Sequence, residues 1–367
     1  MFSNNSKISD KQMKKMLVFD MISISTLIIP YIAASGAGKD GLISIIAASA
    51  AAAVYGLVML YFCKRIKCDY MEYCRQTLGR VGTFLFGMFY LVKFIFSAVF
   101  VLTLFMTVIH ETILPGTNRT VILISLILVS VFYASKKMEV RARTVEILYY
   151  LILIPLLLLF LLGLYKVNLS NLLPLAVTDS VSTIKTSYAV FLTFSALELI
   201  LFATPSVTGE DEKNKFKRKV MQAVLTTSVF NLVVFVIVTG LLGTSGAARK
   251  IWSTISVMQM IEIPGGFVQR QDAIMLCLWL VTIFTVTSTL FHYLCSVTKS
   301  ITGLRRQSYI LVVYAVLLFL IVMQPLNLDT LFDYYGKYIA YIGFPQSILL
   351  PGLLMTRSLT KVSKDAT

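Results

Sequence analysis

Long runs of apolar residues alternate with short, polar and basic segments along nearly the whole chain. A membrane-spanning helix needs about 20 consecutive, mostly apolar residues, and hydropathy predicts ten such spans. Their approximate limits are 16–34, 41–63, 83–110, 120–134, 144–165, 186–207, 220–243, 273–297, 308–324 and 336–356. The pattern therefore predicts an all-α polytopic membrane protein, with a single integral membrane domain over residues 1–367.

The composition supports this fold class. Of the 367 residues, 57% are hydrophobic and 14% are charged, whereas soluble domains carry about a quarter charged residues. This balance excludes a soluble globular enzyme and a disordered chain. The net charge of +15 would suggest a nucleic-acid ligand in a soluble protein. In a membrane protein we expect the basic residues in loops beside the lipid bilayer, and no nucleic-acid partner.

Basic residues are divided unequally between alternate loops. The N-terminus, every second loop and the C-terminal tail together hold 24 lysines and arginines, whereas the intervening loops hold 8. Because loops rich in Lys and Arg face the cytoplasm, both termini are predicted to be cytoplasmic. A missed span would have disturbed the alternation, so the same tally supports an even number of spans.

Two spans contain residues that can interrupt a membrane helix. The first span has hydroxyl side chains at residues 23–26, followed by Pro30, and the sixth has Ser195 to Glu198, followed by Thr204 and Pro205. These breaks correspond if the chain divides into repeats at about 16–165 and 186–356. Matched breaks predict a five-plus-five inverted repeat with broken first and sixth helices and a site at the membrane midplane.

Such breaks suit a free amino acid. Backbone N–H groups in the first span would bind its carboxylate, and the sixth span would meet its ammonium. The predicted ligand-binding residues are Ser23, Ile24, Ser25, Thr26, Leu27, Phe194, Ser195, Ala196, Leu197 and Glu198.

Burial of a charge inside a membrane span is costly, so Glu198, Lys93 and Asp20, which lie well inside predicted spans, each need a partner or a function. Glu198 is the strongest candidate, either for binding a ligand ammonium or for carrying a coupling proton. Lys93 lies too deep to snorkel easily, so we expect it to pair with Glu198 or Asp20. A structural role is as plausible as a functional one for Asp20.

Other polar positions have two interpretations each. Thr287 and Ser288 either contribute to an ion site or bond back to their own helix. The apolar stretch 251–263 is either a lid or a surface for a partner subunit. Glu139, Arg143 and Glu146 share one helix face, which favours an ion-pair ladder.

Four short motifs occur in order along the chain: Thr26–Pro30 with Gly38–Gly41, Glu139–Glu146, Phe194–Glu198 with Pro205, and Arg270–Asp272 with Trp279. In these motifs the chain resembles the B subunit of the nutrient germinant receptors of bacterial spores. That family is the spore germination permease branch of the amino acid, polyamine and organocation superfamily. The resemblance implies an inner spore membrane protein that senses a nutrient beside A and C subunits.

Three functions therefore stay open: a germinant-receptor subunit, a proton- or cation-coupled secondary amino acid transporter, and a structural subunit with a vestigial site. The expected location is the inner spore membrane or the bacterial cell membrane. Five cysteines and two histidines are too few and too scattered for a metal centre. We expect no metal or cofactor, and no enzymatic activity.

Overall fold

A computed structural model of the chain describes residues 8–63, 66, 68–203, 213–261, 271–304, 306–324 and 327–365. The first helices are α1 (Asp10–Ala37), α2 (Gly41–Cys63), α3 (Tyr70–Thr112), α4 (Arg119–Ala134) and α5 (Met138–Leu162). The later ones are α6 (Ser180–Phe191), a 3-10 helix (Leu192–Leu199), α7 (Ile200–Ala203), α8 (Lys213–Arg249), α9 (Ser253–Met260), α10 (Gln271–Thr302), α11 (Gln307–Val322), α12 (Leu328–Tyr338), a π-helical turn (Ile339–Gly343) and α13 (Phe344–Asp365).

The helices account for the predicted spans. Within the described ranges, seven apolar helical stretches are long enough to cross a membrane, and one of them contains both α1 and α2. The shorter apolar helices α4 and α11 occupy the fourth and ninth predicted spans. Large apolar side chains such as Leu128 and Ile147 are exposed on the outside of the bundle, as lipid-facing helices require. The chain is therefore a multi-pass, all-α membrane protein with about ten transmembrane helices.

Helix α1 lies at the centre of the bundle, in contact with α2, α5, α6, α8, α9 and α10. It is a continuous α-helix, so the predicted break within residues 23–26 is wrong. The hydroxyls of Ser23 and Thr26 donate to carbonyl oxygens of their own helix, at 3.2 Å and 2.9 Å, which α-geometry accommodates. The backbone N–H groups of residues 23–27 belong to this helix and are not free for a ligand carboxylate.

Pro30 lies inside α1 without ending it. Since proline has no N–H, the carbonyl oxygen of Thr26, four residues earlier, loses its helical donor. The hydroxyl of Thr254 in α9 donates to this oxygen at 3.0 Å. A side chain from a distant helix therefore supplies the hydrogen bond that a backbone carbonyl of α1 loses at the proline.

Helix α9 belongs to the apolar stretch predicted as a lid or a partner surface. Ile255, Val257 and Met258 are buried, and α9 packs against α1, α8 and α10. The described part of the stretch, residues 251–261, thus lies on the bundle itself; residues 262 and 263 lie outside the described ranges.

The sixth span changes helix type in its middle. Between α6 and α7, residues Leu192–Leu199 form a 3-10 helix, so the predicted break is present as a tightening of the backbone. Thr204 and Pro205, also named for this break, lie outside the described residues.

Helix α3 begins at Tyr70, although the sequence predicts a loop there and a span from residue 83. The reason is burial, because Tyr70, Met71 and Cys74 share a buried face. At Gly79 the backbone has φ 73° and the helix is kinked. The early turns are therefore helical, and the kink marks where they meet the apolar span.

The predicted ion-pair ladder on α5 is present in part. Arg143 bonds to Glu139 within the helix. Glu146 accepts hydrogen bonds from Lys15 Nζ at 2.8 Å and from Gln12 Nε2 at 2.9 Å. Its contact therefore joins α5 to the start of α1.

The turn between α1 and α2 is fixed by Asp40. Its carboxylate accepts hydrogen bonds from the backbone N–H groups of Ala176 and Thr178, at 2.5 Å and 2.6 Å. Burial alone would raise the pKa of Asp40, but these N–H donors hold that pKa below its ordinary value. The carboxylate thereby ties the turn to the segment that precedes α6.

Candidate functional site

A cavity of about 350 Å³ lies between α1, α3, α10, α12 and the sixth span. Six of the predicted site residues line it: Asp20, Ile24, Lys93, Ser195, Ala196 and Glu198. The structure thus brings together the first and sixth spans, as predicted, around one cavity.

Helix α1 contributes a single stripe to this cavity. Asp20, Ile24, Ile28 and Ile32 all line it, and their four-residue spacing places them on one face of an α-helix. The stripe puts one carboxylate at its N-terminal end and three apolar side chains above it. Side chains of α1, rather than its backbone, therefore form this wall.

The 3-10 geometry sorts the side chains of the sixth span. With three residues per turn, positions i and i+3 eclipse each other. Leu192, Ser195 and Glu198 follow this spacing and line the cavity. Phe194 and Leu197 follow it on another face, where both are fully buried in the core. Glu198 therefore faces the cavity, whereas Phe194 and Leu197, predicted to contact the ligand, serve packing.

Lys93 and Glu198 form an ion pair on the cavity wall. Lys93 Nζ lies 2.6 Å from Glu198 Oε2, and the two side chains are only 2% and 4% exposed. The predicted pairing is thus confirmed, with Glu198 rather than Asp20 as the partner. It joins α3 to the 3-10 helix, and each charge offsets the burial cost of the other.

Asp20 lies beside a second buried cation, Arg141 of α5. The guanidinium Nη2 of Arg141 donates to Thr289 Oγ1 at 2.7 Å, and that hydroxyl lies 3.5 Å from Asp20 Oδ1. Arg141 is 1% exposed and its Nε is buried without a hydrogen-bond partner in the described part of the chain. A hydroxyl of α10, which also donates to the carbonyl oxygen of Thr285 at 2.9 Å, therefore lies between the carboxylate of α1 and the guanidinium of α5.

Sequence reasoning did not select Arg141. The predicted ion-pair ladder used Glu139, Arg143 and Glu146 and left this arginine out, although it stands beside Ala142 and Val145, which lie on the buried face of α5. An arginine next to the apolar stripe of a span was the available signal.

Aromatic side chains form the part of the wall that α12 contributes, and no sequence pattern pointed to them specifically. The ring of Tyr335 stacks on Phe100 with centroids 4.0 Å apart, and Phe332 meets Phe100 edge-on at 5.3 Å. Both Phe332 and Tyr335 line the cavity. Single aromatic residues stand out poorly in a chain with 24 phenylalanines and 18 tyrosines.

The remaining first-span residues lie away from the cavity lining. Ser25 donates to Asn231 Oδ1 of α8 at 2.9 Å, and Ser23, Thr26 and Leu27 are buried among helices. These residues pack α1 into the bundle.

The two hydroxyl residues proposed for an ion site behave differently. Ser288 Oγ bonds back to the carbonyl oxygens of Phe284 and Thr285, at 2.6 Å and 2.9 Å, as the alternative interpretation predicts. Thr287 Oγ1 is buried without a hydrogen-bond partner among the described residues.

Comparison with known families identifies relatives along most of the chain. The family model described as "Spore germination protein" matches residues 7–330. Spore germination protein YndE of Bacillus subtilis (strain 168) is 21% identical over 294 residues, which cover 80% of each chain. Spore germination protein GerLB of Bacillus cereus is 26% identical over 163 residues, 44% of this chain and 43% of the relative.

Solved structures share the fold at low sequence identity. A Na⁺-coupled sialic acid symporter, in a substrate-bound outward-open state, has a TM-score of 0.66 at 15% identity, over 92% of this chain and 77% of the symporter. MhsT in complex with L-phenylalanine has a TM-score of 0.65 at 12% identity, over 93% and 87%. The likeness confirms the inverted-repeat transporter fold predicted from the sequence.

Proposed function

Because the chain belongs to the spore germination protein family, we propose that it is the membrane subunit of a nutrient germinant receptor. A small nutrient, such as an amino acid, binds in the cavity between α1, α3 and the 3-10 helix, and its binding triggers germination. One observation carries this proposal: the buried ion pair of Lys93 and Glu198 lines a cavity large enough for a small molecule.

The ion pair supports binding better than it supports packing. Charged side chains inside a membrane bundle mark functional sites by default, and well-packed apolar side chains often join two helices at lower cost. A lysine and a carboxylate on a cavity wall suit a charged small molecule. We therefore propose a binding role without enzymatic conversion, and without a metal or cofactor.

A membrane location and protein partners belong to the proposed function. The chain resides in the inner spore membrane or the bacterial cell membrane, with both termini in the cytoplasm, as the distribution of basic residues favours. Its protein partners are the A and C subunits of the receptor, as the sequence resemblance implies. The nutrient and the lipid bilayer are its other partners, and nucleic acid is not one.

Proton- or cation-coupled amino acid transport is the second candidate function. It is favoured by the fold shared with a Na⁺-coupled symporter and by a break in the sixth span at the cavity wall. A receptor and a transporter would use the same cavity, but only a transporter would move its ligand across the membrane.

A cavity-filling substitution tests the nutrient site. Ala189 of α6 lines the cavity, whereas Val181 of the same helix is 54% exposed. In spores where the variant is the only copy, we expect Ala189→Phe to abolish the nutrient response and Val181→Phe to preserve it, measured by the fall in optical density. An unchanged response in Ala189→Phe spores, at equal protein levels, would contradict the site.

Counterflow of labelled amino acids in proteoliposomes separates the two functions. Saturable exchange that Glu198→Gln abolishes would establish transport. The receptor proposal predicts no exchange, from protein that thermal unfolding and size-exclusion chromatography show to be folded.

A further inference from the structure

A second cavity, of about 670 Å³, lies between α3, α11, α12 and the π-helical turn. It borders a different face of α12 from the cavity described above. Phe332 and Gly336 line the first cavity, whereas Tyr334 and Tyr338 line the second. Tyr335 lines both, so the ring of one tyrosine belongs to the wall of each cavity.

The floor of the second cavity is apolar and lies below the surface of the bundle. Ile95 and Val99 of α3, Ile321 of α11 and Leu331 of α12 form it. Val99 is 9% exposed and Leu331 is 6% exposed. An occupant that touches these two side chains therefore lies inside the protein surface and not merely against it.

The rim of the cavity consists of large exposed side chains. Phe96, Tyr334, Tyr341 and Ile342 line the cavity and are all exposed. Exposed apolar side chains on a multi-pass membrane protein face lipid, and tyrosine is enriched where the hydrocarbon region meets the headgroups. The mouth therefore opens sideways into the bilayer, near its polar boundary.

One end of the cavity is polar. In the described part of the chain, Lys337 is its one charged lining residue. Lys337 Nζ donates to Asp333 Oδ2 at 2.7 Å, and both side chains are exposed. Because an exposed charged pair is costly among acyl chains but not among headgroups, this end of the cavity lies at headgroup level. The pair is balanced within α12, so the occupant needs no net charge to match it.

These properties identify the kind of occupant. Water would find few hydrogen-bond partners on the apolar floor, and an empty space would leave the floor without dispersion contacts. A helix of another protein would have to cover the Lys337–Asp333 pair and remove it from water, which is costly. An acyl chain fills the apolar part and leaves that pair among the headgroups. The volume lies in the range of about 300–1,000 Å³ that is usual for ligand sites.

We propose that the second cavity is a lipid site, which holds one acyl chain of a membrane phospholipid between α3, α11 and α12. The headgroup lies at the Lys337 end, and the chain lies on the floor formed by Val99 and Leu331. The occupant contacts Tyr335 from the side opposite to the first cavity. The lipid site stands on its own observations and does not depend on the proposed nutrient site.

Photolabelling of the full chain in lipid nanodiscs tests the proposal. The nanodiscs consist of phosphatidylglycerol with a trace of phosphatidylcholine that carries a diazirine in its acyl chain, and mass spectrometry locates the label. Leu128 of α4 is exposed and reports contact with bulk lipid. We expect label on Val99 and Leu331 as well, although both are buried. Label on Leu128 without label on either floor residue would overturn the proposal.

A substitution that fills the floor provides the matched protein test. In Val99→Phe, we expect the label on Leu331, relative to that on Leu128, to fall at least about fivefold, because the added ring takes up the volume of the acyl chain. Val92 of the same helix is exposed and lies outside the lining of the cavity. Val92→Phe should therefore keep the parent labelling. Unchanged label on Leu331 in Val99→Phe would contradict the site.

Two further variants complete the test. If thermal unfolding shows that Val99→Phe is not folded, Ile321→Phe fills the same floor from α11 and should give the same loss of label. Ala189→Phe fills the first cavity and should leave the label on Leu331 unchanged. Loss of that label in Ala189→Phe would show that the probe had entered the first cavity, and would overturn the assignment.

Assembly with other proteins is the last test. If the label on Leu331 disappears when the chain is reconstituted with the A and C subunits, a protein surface covers the groove and the lipid proposal is wrong. Label that persists in the assembled complex supports the lipid.

Discussion

The hydroxyl of Thr254 lies 3.0 Å from the carbonyl oxygen of Thr26 and donates a hydrogen bond to it. This carbonyl is the one that Pro30 deprives of its helical donor. In a membrane interior no water replaces a missing donor. The contact therefore lets a proline lie within the central helix without breaking it.

Thr254→Val removes this donor while keeping the shape of the side chain. We expect it to lower the free energy of unfolding by about 1–3 kcal/mol, the cost of leaving a buried carbonyl unsatisfied. Thermal unfolding in detergent measures the change. Thr254→Ser keeps the hydroxyl and is the control, which should remain closer to the parent protein. Equal losses for valine and serine would assign the effect to packing.

The Lys93–Glu198 pair makes a prediction about stability that is independent of any ligand. Neutralising one partner leaves the other charge buried alone, so Lys93→Met or Glu198→Met should each cost about 3–5 kcal/mol. The double variant removes both charges and should be more stable than either single one. Unfolding of the three variants in the same detergent measures this difference. A double variant as unstable as Lys93→Met would show that the two residues are not energetically coupled.

The periodicity of the 3-10 helix separates packing residues from cavity residues. Phe194 is fully buried, so Phe194→Ala should lower the free energy of unfolding by about 3–5 kcal/mol. Ser195 lines the cavity, and Ser195→Ala should change stability by about 0.5 kcal/mol or less. The two unfolding midpoints give the comparison. A larger loss for Ser195→Ala would contradict the assignment of faces.

The stability of the fold should depend on pH through the carboxylate of Asp40. Its folded-state pKa lies below the ordinary value of about 4 because backbone N–H groups bind its carboxylate. Its stabilising effect is therefore complete above about pH 4 and is lost as the pH falls through the lower, folded-state pKa. We expect the difference in unfolding midpoint between the parent and Asp40→Asn to be constant at pH 5–7 and to shrink below about pH 4. A difference that persists at the lowest pH would contradict this role.

Much of the architecture follows from the sequence because the bilayer imposes simple requirements. Apolar runs and the division of basic residues predict the spans. The pairing of Lys93 with Glu198 is predictable because a deeply buried lysine needs a counter-charge, and few carboxylates share its depth.

The sequence-based expectations for α1 and for Arg141 failed for the same reason, because both depend on contacts between distant parts of the chain. Pro30 and its neighbouring hydroxyls predict a broken helix locally, but the donor that preserves the helix is Thr254. The inward position of Arg141 depends on Thr289 of another helix. Local patterns do not reveal which distant side chain satisfies a given group, so these features required the structure.

The 3-10 helix determines the direction in which the Glu198 side chain points. Each residue advances by about 120° around a 3-10 helix and by about 100° around an α-helix. If Leu192–Leu199 relaxed to α-geometry, Glu198 would rotate by about 120° relative to Leu192. The carboxylate would leave the cavity and Lys93 together. The rotational state of this one segment therefore determines whether Lys93 keeps its paired carboxylate at the cavity wall.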